Sequence, residues 1–466
     1  MERIDFCFSG KKNLTLARDL VRALRAVSTR PLPAPVAQAA KLHFIDAMGV
    51  GLAAAGSPAG VPYRLFSKEI PKQGPATILG ETHGAAPADA ALVNGGLMHS
   101  LEFDDTHTGS IMHGSSVVAA AALAAAEAKG ASAAAMLGAY ARGWEALARF
   151  GLAAPGRFHA RGFQASSVAG TLAAALVAAE IEGLDENQTA AALGIALSQS
   201  SGVMEFLTNG ASVKSLHPGW AAHAGLFAAA LARAGMTGPE TSLEGRWGLF
   251  NQFAGDRNAE ARFAGLIGTL GRQWHLSEAA FKFYPCCHYL HPFIEAAGVL
   301  AEHGVRAEDI ATLVCRVPAG AAPVICEPWE RALDPANGHA ARWSLPIAVA
   351  ARLVEGKVDL ATFESRPPEP VRELARRIHW EPLEGARFPE RFEAEIVCET
   401  RTGATQTVRI DDVDGNHTRP ASEARVMEKF RTNAARMLPP SAVAAIENFQ
   451  ELEHLSRALR QVSSKA

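Results

Sequence analysis

The feature of this sequence that most constrains its fold is an Ala- and Leu-rich region that runs from residue 14 to about residue 271. Apolar residues recur in it mostly at intervals of three and four, as in the segment 36–47, and this is the period of an α-helix. Gly, Pro and Ser interrupt the pattern at helix-length intervals. Small residues surround nearly every side of three segments, which predicts helices buried on several faces: 113–127, 165–181 and 219–234.

The pattern changes after about residue 277. β-branched residues in partial alternation predict strands there, and stretches with helical period predict helices between them. The predicted strands are 310–317, 392–400 and 405–410, and the predicted helices are 341–353 and 370–377.

The helical period returns at 422–461, near the end of the chain. We therefore expect a mainly α fold with two domains. A large all-α helical domain is built from both chain ends, 1–276 and 412–466, and a smaller α+β lid domain occupies 277–411.

Composition excludes several classes of partner. The 466 residues contain 45 Lys and Arg against 48 Asp and Glu, so no basic excess favours nucleic acid. Glu127 and Glu180 interrupt the longest apolar runs well before the ~20 residues of a membrane span, so no membrane partner is expected. Six cysteines are too sparse for a disulfide framework, and the N-terminus carries no signal-peptide pattern. These observations predict a cytoplasmic protein.

The densest polar cluster lies at 99–114, where the chain is HSLEFDDTHTGSIMHG. Carboxylates beside imidazoles can hold a proton-transfer group near neutral pH. The alternative is that Asp104 or Asp105 only caps a helix that begins near Ser115. We predict a functional role for at least one of four residues: Asp104, Asp105, His107 and His113.

A second candidate is Lys214, in the segment ASVKSLHPGWAAHAG. Lys214 and His217 stand just before a helix opened by Pro218 and Gly219. Free N–H groups at a helix start attract anions, so an ammonium there predicts a seat for a carboxylate or phosphate. The alternative is a solvated lysine, because most lysines are exposed.

A third candidate is the segment 281–292, FKFYPCCHYLHP. It brings together Cys286, Cys287, His288 and His291. Adjacent cysteines lack the spacer of usual zinc sites and no second pair of ligands lies nearby, so we expect no metal. Burial is the expected role of the scattered cysteines, which are too dispersed for an iron–sulfur site: Cys7, Cys315, Cys326 and Cys398.

The common cofactor motifs are missing from the sequence. It contains no G-x-G-x-x-G after a predicted strand and no G-x-x-x-x-G-K-[ST], so no nucleotide cofactor is expected. It also lacks the G-x-S-x-G motif of a serine nucleophile. The expected chemistry is therefore proton transfer by side chains, without a cofactor.

Several segments, in order along the chain, resemble the MmgE/PrpD family, which includes dehydratases, decarboxylases and epimerases of small carboxylates. The resemblance covers almost the whole chain, and DDTH and K-x-Y-P-x-C are its most specific parts. The similar segments include AALVNGGLMHSLEFDDTH, RGFQASSVAGTLAAA, VKSLHPGWAAHAGL, KFYPCCHYLHPFIEAA and NGHAARWSLPIAVAARLVEG.

This resemblance implies a homodimer whose active site lies between the all-α domain and the lid domain. It also implies an enzyme that needs neither metal nor nucleotide and moves a proton at a carbon next to a carboxylate. The substrate would be a small di- or tricarboxylate. The family's site residues correspond here to Asp104, Asp105, Thr106, His113, Lys214 and Lys282.

The chain also departs from the family pattern. Gln164 stands where decarboxylase members have a histidine, and an amide cannot titrate. Glu102 replaces an Asp of the decarboxylases, and Cys287 replaces a histidine. His159 lies five residues before Gln164 and is expected to point elsewhere. The departures put cis-aconitate decarboxylase activity in doubt.

Our leading hypothesis is a cofactor-independent lyase of the 2-methylcitrate dehydratase type. His113 is the predicted base, oriented by Asp104 or Asp105. Lys214 and Lys282 would stabilise the aci-carboxylate that forms when the proton is removed.

The remaining site residues are predicted to contact the substrate. Thr106 or Tyr284 would hydrogen-bond the departing hydroxyl, and the other contacts would be His107, Gln164, His217 and Cys287. Three alternatives remain open at this stage. The same site would serve an epimerase or isomerase, or a decarboxylase of a small dicarboxylate, and a catalytically silent member would only bind a polycarboxylate.

Overall fold

The structure is a computed structural model that describes residues 15–463. Cys7 and the N-terminal segment used to predict the compartment lie outside the described residues. Helices dominate the part before residue 280. They are Leu16–Ser28, Ala34–Ala55, Val61–Phe66, Pro87–His99, Ser115–Lys129, Ala133–Ala153, Arg157–Ala160, Ala165–Glu182, Glu186–Gln199, Leu216–Arg233 and Ala259–Ile267, with the short strands Ala76–Thr77 and Gly84–Ala85 among them.

Local sequence signals set the ends of these helices. Asp185 and Gln188 form a capping box at the start of Glu186–Gln199, which satisfies two free backbone N–H groups. Gly130 follows Ser115–Lys129 with φ of +65°, a left-handed conformation that glycine adopts without a Cβ clash. The three segments expected to be buried on several sides are helices with mostly buried residues, as predicted.

A glycine contact brings two of these helices unusually close together. A Cβ on Gly219 would lie 2.2 Å from the carbonyl oxygen of Leu92. The backbone of Leu216–Arg233 therefore packs directly on Pro87–His99. Consequently the segment that holds Lys214, just before Leu216–Arg233, lies against the loop that follows Pro87–His99.

The second part of the chain contains a four-stranded sheet. Its strands lie in the order Ile378–Pro382, Ile310–Val317, Ala394–Thr400 and Thr405–Ile410. The first pair is parallel and the other two pairs are antiparallel. The helices of this part are His291–Glu302, Ala322–Ile325, Trp329–Leu333, Gly338–Ala341, Leu345–Glu355 and Glu369–Ala375.

The strand Ile378–Pro382 is missing from the sequence-based prediction. It lies at the edge of the sheet, and three of its five residues are exposed. Edge strands need no apolar alternation, and proline is tolerated in them. The sequence IHWEP therefore carries little strand signal.

The two parts have separate hydrophobic cores. The first contains residues from Ala17–Ala279 and again from Met427–Leu459, so both chain ends build it. The second runs from Cys286 to Val408. The helices after the sheet, Glu423–Ala434, Pro440–Glu447 and Leu452–Leu459, return to the first core. The predicted mainly α fold with a smaller α+β part is confirmed.

The gaps between these cores lie between residues 279 and 286 and between residues 408 and 427, and the domain boundaries at 277 and 411 stay predictions. Residue 411 lies in the second gap, and residue 277 lies a few residues before the first. One helix of the described chain, Ala165–Glu182, is long and apolar enough to cross a membrane, and 89% of it is buried inside the protein. Helices Ala34–Ala55 and Pro58–Phe66 pass the same test as a pair bent by 88°.

Candidate active site

The loop 100–114 connects two buried helices and reaches the boundary between the two cores. Thr106 and Ala280 exchange backbone hydrogen bonds of 3.0 and 2.8 Å, which places the start of the second part beside this loop. Glu102 has φ of +52°, a left-handed conformation that is uncommon for a residue with a Cβ. Strained backbone of this kind persists only where neighbouring contacts hold it.

The Glu102 carboxylate lies between two buried lysines. Lys214 Nζ is 2.5 Å from Oε1, and Lys282 Nζ is 3.9 Å from Oε2. Lys282 also donates to the Glu102 carbonyl oxygen at 3.1 Å. Burial alone would raise the pKa of Glu102, but the charges of Lys214 and Lys282, together with the neighbouring His99, outweigh it and hold this pKa well below its usual range. These contacts bring Lys282, at the start of the second part, against the loop that carries Glu102.

Asp104 is fully buried and pairs with His99. The Nδ1–H of His99 donates to Asp104 Oδ2 at 2.8 Å, while Oδ1 has no hydrogen-bond partner among residues 15–463. Burial opposes ionisation of Asp104, but the imidazoles of His99 and His113 dominate and lower its pKa strongly. Asp104 is therefore an ionised acceptor in the centre of the cluster.

His113 lies beside this pair. Its Nδ1–H is shared between the Asp105 carbonyl oxygen and Thr106 Oγ1, both at 3.1 Å. A carbonyl oxygen only accepts, so Nδ1 carries the proton and Nε2 keeps its lone pair. Burial lowers the pKa of His113 well below its ordinary value, although Asp104 opposes this shift. His113 is a neutral imidazole, and its side chain retains 15% exposure within a closed cluster.

The Asp105 carboxylate points away from His113. It accepts from the backbone N of Ser115 at 3.1 Å and from the Ser115 hydroxyl, and His43 Nδ1 lies 2.8 Å from it. The expectation that an Asp side chain orients His113 is therefore wrong for Asp105, whose main-chain carbonyl does so instead. Asp104 Oδ2 lies 4.0 Å from His113 Nδ1, beyond hydrogen-bond distance. The helix-capping alternative describes the Asp105 side chain well.

Gln164 lies between two histidines of the site. Its Nε2 is 3.2 Å from Nε2 of His99, and its Oε1 accepts a short hydrogen bond from Nδ1 of His217. All three side chains are buried. Burial, together with the nearby His99 and Lys214, lowers the pKa of His217 to about 4.

Two predicted contact residues lie outside this cluster. His107 hydrogen-bonds Ser110 and Glu278, with its ring 5.6 Å from that of His275. Tyr284 packs edge-on against His291 at 5.1 Å, at the second core. Neither has a hydrogen bond to the groups around Asp104 within the described chain. Their predicted contacts with substrate stay predictions.

The cysteines of the site are thiols. Burial raises the pKa of Cys287 to about 11, and burial also raises the pKa of Cys286. Both therefore stay protonated at neutral pH, whereas metals bind the thiolate. Cys315, Cys326 and Cys398 are buried, as expected.

Two groups of the described residues bring enough ligand types together to hold a metal ion: His99 with Asp104 and His113, and His107 with His275 and Glu278. Hydrogen bonds explain both. In the first group, both Nδ1 atoms near Asp104 carry protons. In the second, Nδ1 of His107 accepts from the Ser110 backbone N at 3.1 Å, so the protonated Nε2 faces Glu278 at 3.3 Å. A metal would need these positions deprotonated.

Sequence reasoning misses three residues that hold the cluster together. His99 ends a helix and opens the polar segment 99–114, but nothing in the sequence assigns it a role. Arg342 donates from Nη1 to the Leu101 carbonyl oxygen and, at 2.7 Å, to that of Pro285, which ties the two parts together. Arg342 lies in the NGHAARWSLP segment, which resembles the family but suggests no role.

Lys429 is the third missed residue. Its Nζ donates to Asp46 at 3.0 Å and to the Phe103 carbonyl oxygen at 2.9 Å, so a helix near the C-terminus supports the loop. Nothing in the sequence around Lys429 distinguishes it from an exposed lysine. Only the packed fold reveals this contact across more than 300 residues of chain.

Trp343 separates the cluster from a cavity. Its ring centre lies 5.4 Å from Lys214 Nζ. It also lines a cavity of about 390 Å³ formed by residues 206–211 and parts of 323–344. A cavity between two parts of a fold is a common place for small ligands. Solvent therefore comes within one side chain of the lysine.

Known proteins are similar to this chain over most of its length. The MmgE/PrpD N-terminal domain matches residues 18–262, and the MmgE/PrpD C-terminal domain matches residues 284–455. The chain is 28% identical to cis-aconitate decarboxylase of Homo sapiens over 468 residues, covering 95% of this chain and 93% of that protein. It is 29% identical to the Mus musculus cis-aconitate decarboxylase, covering 89% and 87% of the two chains.

A fungal protein is similar over the same region. The cis-aconitate decarboxylase of Aspergillus terreus (strain NIH 2624 / FGSC A1156) is 26% identical over 449 residues, which is 91% of this chain and 90% of that protein. The two family domains together span both cores and the loop that carries the cluster. The chain therefore belongs to the MmgE/PrpD family.

Proposed function

We propose that this protein is a cofactor-independent lyase that acts on a small polycarboxylate through proton transfer at the carbon next to a carboxylate. The observation that carries the proposal is the pair of buried lysines, Lys214 and Lys282, on one carboxylate beside the neutral imidazole of His113. Positive charge fixed in a dry site is suited to a substrate whose own charge is negative.

The lysines give the site its preference for carboxylates. Lys214 and Lys282 hold the Glu102 carboxylate in the absence of substrate, and a substrate carboxylate offers them the same oxygen partners. Removal of the neighbouring proton turns that carboxylate into an aci-carboxylate with an additional charge. Fixed ammonium groups stabilise this charge more in the transition state than in the ground state, which is what accelerates a reaction.

His113 supplies the base. Its Nδ1 proton is held by the Asp105 carbonyl oxygen and Thr106. Nε2, which keeps its lone pair, is therefore the atom that takes the substrate proton. Asp104, 4.0 Å away and ionised, then stabilises the imidazolium that forms. A positioned base of this type is worth roughly 10²–10⁴-fold in rate.

Within this class we propose dehydration of a hydroxylated tricarboxylate of the 2-methylcitrate type as the reaction. Gln164 cannot act as a second titrating group, and elimination by one base does not require one when the His113 imidazolium returns its proton to the departing hydroxyl, which leaves as water. Decarboxylation of a small carboxylate is the second candidate, because the curated relatives are named cis-aconitate decarboxylase. Epimerisation would need a second group that titrates on the opposite face of the carbanion.

A product analysis in D₂O separates these reactions. The protein is incubated with 2-methylcitrate, citrate, cis-aconitate or iminodisuccinate in buffer that contains EDTA, and NMR follows the products. Dehydration gives a new alkene from a hydroxy acid, decarboxylation gives an alkene with one carboxylate fewer, and epimerisation gives deuterium exchange without an alkene. No reaction with any of them, despite binding, would favour the silent polycarboxylate-binding alternative.

The quaternary structure and the compartment are part of the same proposal. We propose a cytoplasmic homodimer with no nucleic-acid or membrane partner, as the family resemblance and the composition suggest. Light scattering after gel filtration should give about twice the chain mass of 49.2 kDa. A single-chain mass at micromolar concentration would contradict the dimer without affecting the proposed chemistry.

A further inference from the structure

Four buried side chains form one continuous hydrogen-bonded chain in the site. Asp104 accepts from Nδ1 of His99 at 2.8 Å, Nε2 of His99 meets Nε2 of Gln164 at 3.2 Å, and Oε1 of Gln164 meets Nδ1 of His217. The groups come from a loop, from the end of one helix and from the starts of two others. The chain therefore ties three helices together at the site.

The directions of the hydrogen bonds in this chain follow from the ionised carboxylate at one end and from the orientation of the Gln164 amide. An ionised carboxylate such as Asp104 only accepts, so Nδ1 of His99 must donate to it. Nε2 of His99 then faces the amide nitrogen of Gln164, which only donates, so this ring nitrogen must accept. The amide oxygen at the other end only accepts, and His217 must donate to it from Nδ1.

An amide is unusual among possible links because its two ends cannot exchange roles without a rotation of the whole group. A proton added to Nε2 of His99 would face the amide N–H group, and two donors cannot bond each other. Turning the amide would remove the acceptor of His217 at the same moment. The two imidazoles are therefore coupled, although they do not contact each other.

We propose that Gln164 is a positioning residue that fixes the tautomers of His99 and His217, with the proton on Nδ1 and the lone pair on Nε2 in both rings. His99 then spends both nitrogens on hydrogen bonds and cannot exchange protons with substrate. His217 Nε2 has no hydrogen bond to any of residues 15–463 and stays available as an acceptor. His113 remains the base, so only the catalytic consequence of this inference rests on the proposed function.

Nitrogen NMR tests the tautomers directly and without substrate. In protein labelled with ¹⁵N-histidine at pH 7, correlations between ring protons and ring nitrogens distinguish protonated from unprotonated positions. The His99→Asn and His217→Asn proteins assign the two rings by loss of their signals. We expect Nδ1–H and unprotonated Nε2 for both rings, in contrast to free histidine, which prefers the Nε2–H form.

The variant Gln164→Glu supplies the contrast. Its carboxylate has the same shape but accepts at both ends, so Nε2 of His99 should become a donor and both nitrogens of that ring should be protonated at pH 7. The variant Gln164→Met keeps the length and removes both hydrogen bonds, so both rings should lose their single-tautomer signals. Gln199→Glu is the matched control, because the Gln199 side chain donates to the backbone carbonyl oxygens of Ile195 and Ala224, away from both rings, and the change should leave the two rings as they are.

The outcomes separate this inference from the proposed function. An Nε2–H tautomer of His99 or His217 in the wild-type protein, or an unchanged His99 in Gln164→Glu, would overturn the inference even if the protein were an active lyase. The expected tautomers would support it even if no tested carboxylate reacted. Where a substrate is found, the kcat/KM of Gln164→Glu should fall roughly 10²-fold at pH 7, with the folded fraction unchanged by circular dichroism.

Discussion

Lys214 Nζ lies 2.5 Å from Glu102 Oε1, and both residues are buried. The lysine is not solvated at the start of a helix, which is the alternative suggested by its sequence position. It is already paired with a carboxylate of the protein. A substrate carboxylate must therefore share or replace an existing ion pair.

This pairing determines the effect of Lys214→Met. Removal of one partner leaves the Glu102 carboxylate buried with two longer contacts, to Lys282 and to His99, both at 3.9 Å, and breaking a buried pair typically costs about 3–5 kcal/mol. Replacement of a solvated lysine, the alternative that the sequence leaves open for Lys214, would cost little stability, whereas the buried pair makes a large loss the expected result. Urea unfolding should show the loss, and Glu102→Gln in the same chain should recover part of it.

The kinetic effect of the same change concerns the transition state. Because charge on the substrate grows there, Lys214→Met should lower kcat as well as raise KM. Lys357→Met is a matched control, since that lysine pairs with Asp359 at the surface with 68% of its side chain exposed. Unchanged kcat and KM in a folded Lys214→Met protein would remove this lysine from the mechanism.

Replacement of the predicted base tests the chemistry itself. His113→Gln should lower kcat by roughly 10²–10⁴-fold, because an amide cannot take the substrate proton. Binding of a substrate analogue, measured by calorimetry, should change much less. His454→Gln, at an exposed histidine, is the control for the loss of an imidazole as such. Near wild-type turnover in His113→Gln would assign the proton transfer to another group.

The pH dependence of turnover follows from the charge state of His113. A base must be neutral, so activity is lost as the pH falls through its pKa. Burial holds that pKa well below its ordinary value, and the acid limb of kcat/KM should lie below pH 6.5. Substrate carboxylates add negative charge beside the ring and raise its pKa, so the acid limb of kcat should lie at higher pH. Identical limbs in both profiles would contradict this assignment.

Folding stability should depend on pH through His217. The folded-state pKa of about 4 lies below the value near 6.5 of an unfolded chain, so between these pH values only the unfolded state binds the proton. The free energy of unfolding therefore falls as the pH drops from 6.5 to 4. His217→Asn should make the decrease of the unfolding free energy with falling pH shallower by up to about 1.4 kcal/mol per pH unit. Urea unfolding between pH 4 and 6.5 measures this slope, and His454→Asn, at an exposed histidine, is the control. An equal slope in both variants would be inconsistent with a neutral buried His217.

The sequence predicts the helical domain well because helical period and small residues are local signals. The dense polar segment 99–114 also indicates His113 and Asp104, whereas Lys282 is found only through the resemblance to the MmgE/PrpD family. The sequence does not distinguish the roles of His107 and His113. The turn at 108–112 directs the His107 ring to Glu278 and the His113 ring into the cluster around Asp104. That difference depends on backbone angles such as the left-handed Ile111, which no pattern of side chains reveals.

The adjacent acids Asp104 and Asp105 illustrate the same limit and supply the last prediction. The Asp105 carboxylate holds the start of Ser115–Lys129 and His43, so Asp105→Asn should lower the Tm and leave the pH profile of the folded enzyme in place. The Asp104 carboxylate sets the direction of the hydrogen bond from His99 and faces His113. Asp104→Asn should therefore lower kcat. It should also move the acid limb of kcat/KM to lower pH, because it removes the negative charge that favours the His113 imidazolium. Thermal unfolding and pH profiles of the two variants measure the contrast. If only Asp105→Asn lowered kcat and moved the pH profile of kcat/KM, the assignment of the two acids would be wrong. Asp105, and not Asp104, would then be the acid that supports His113.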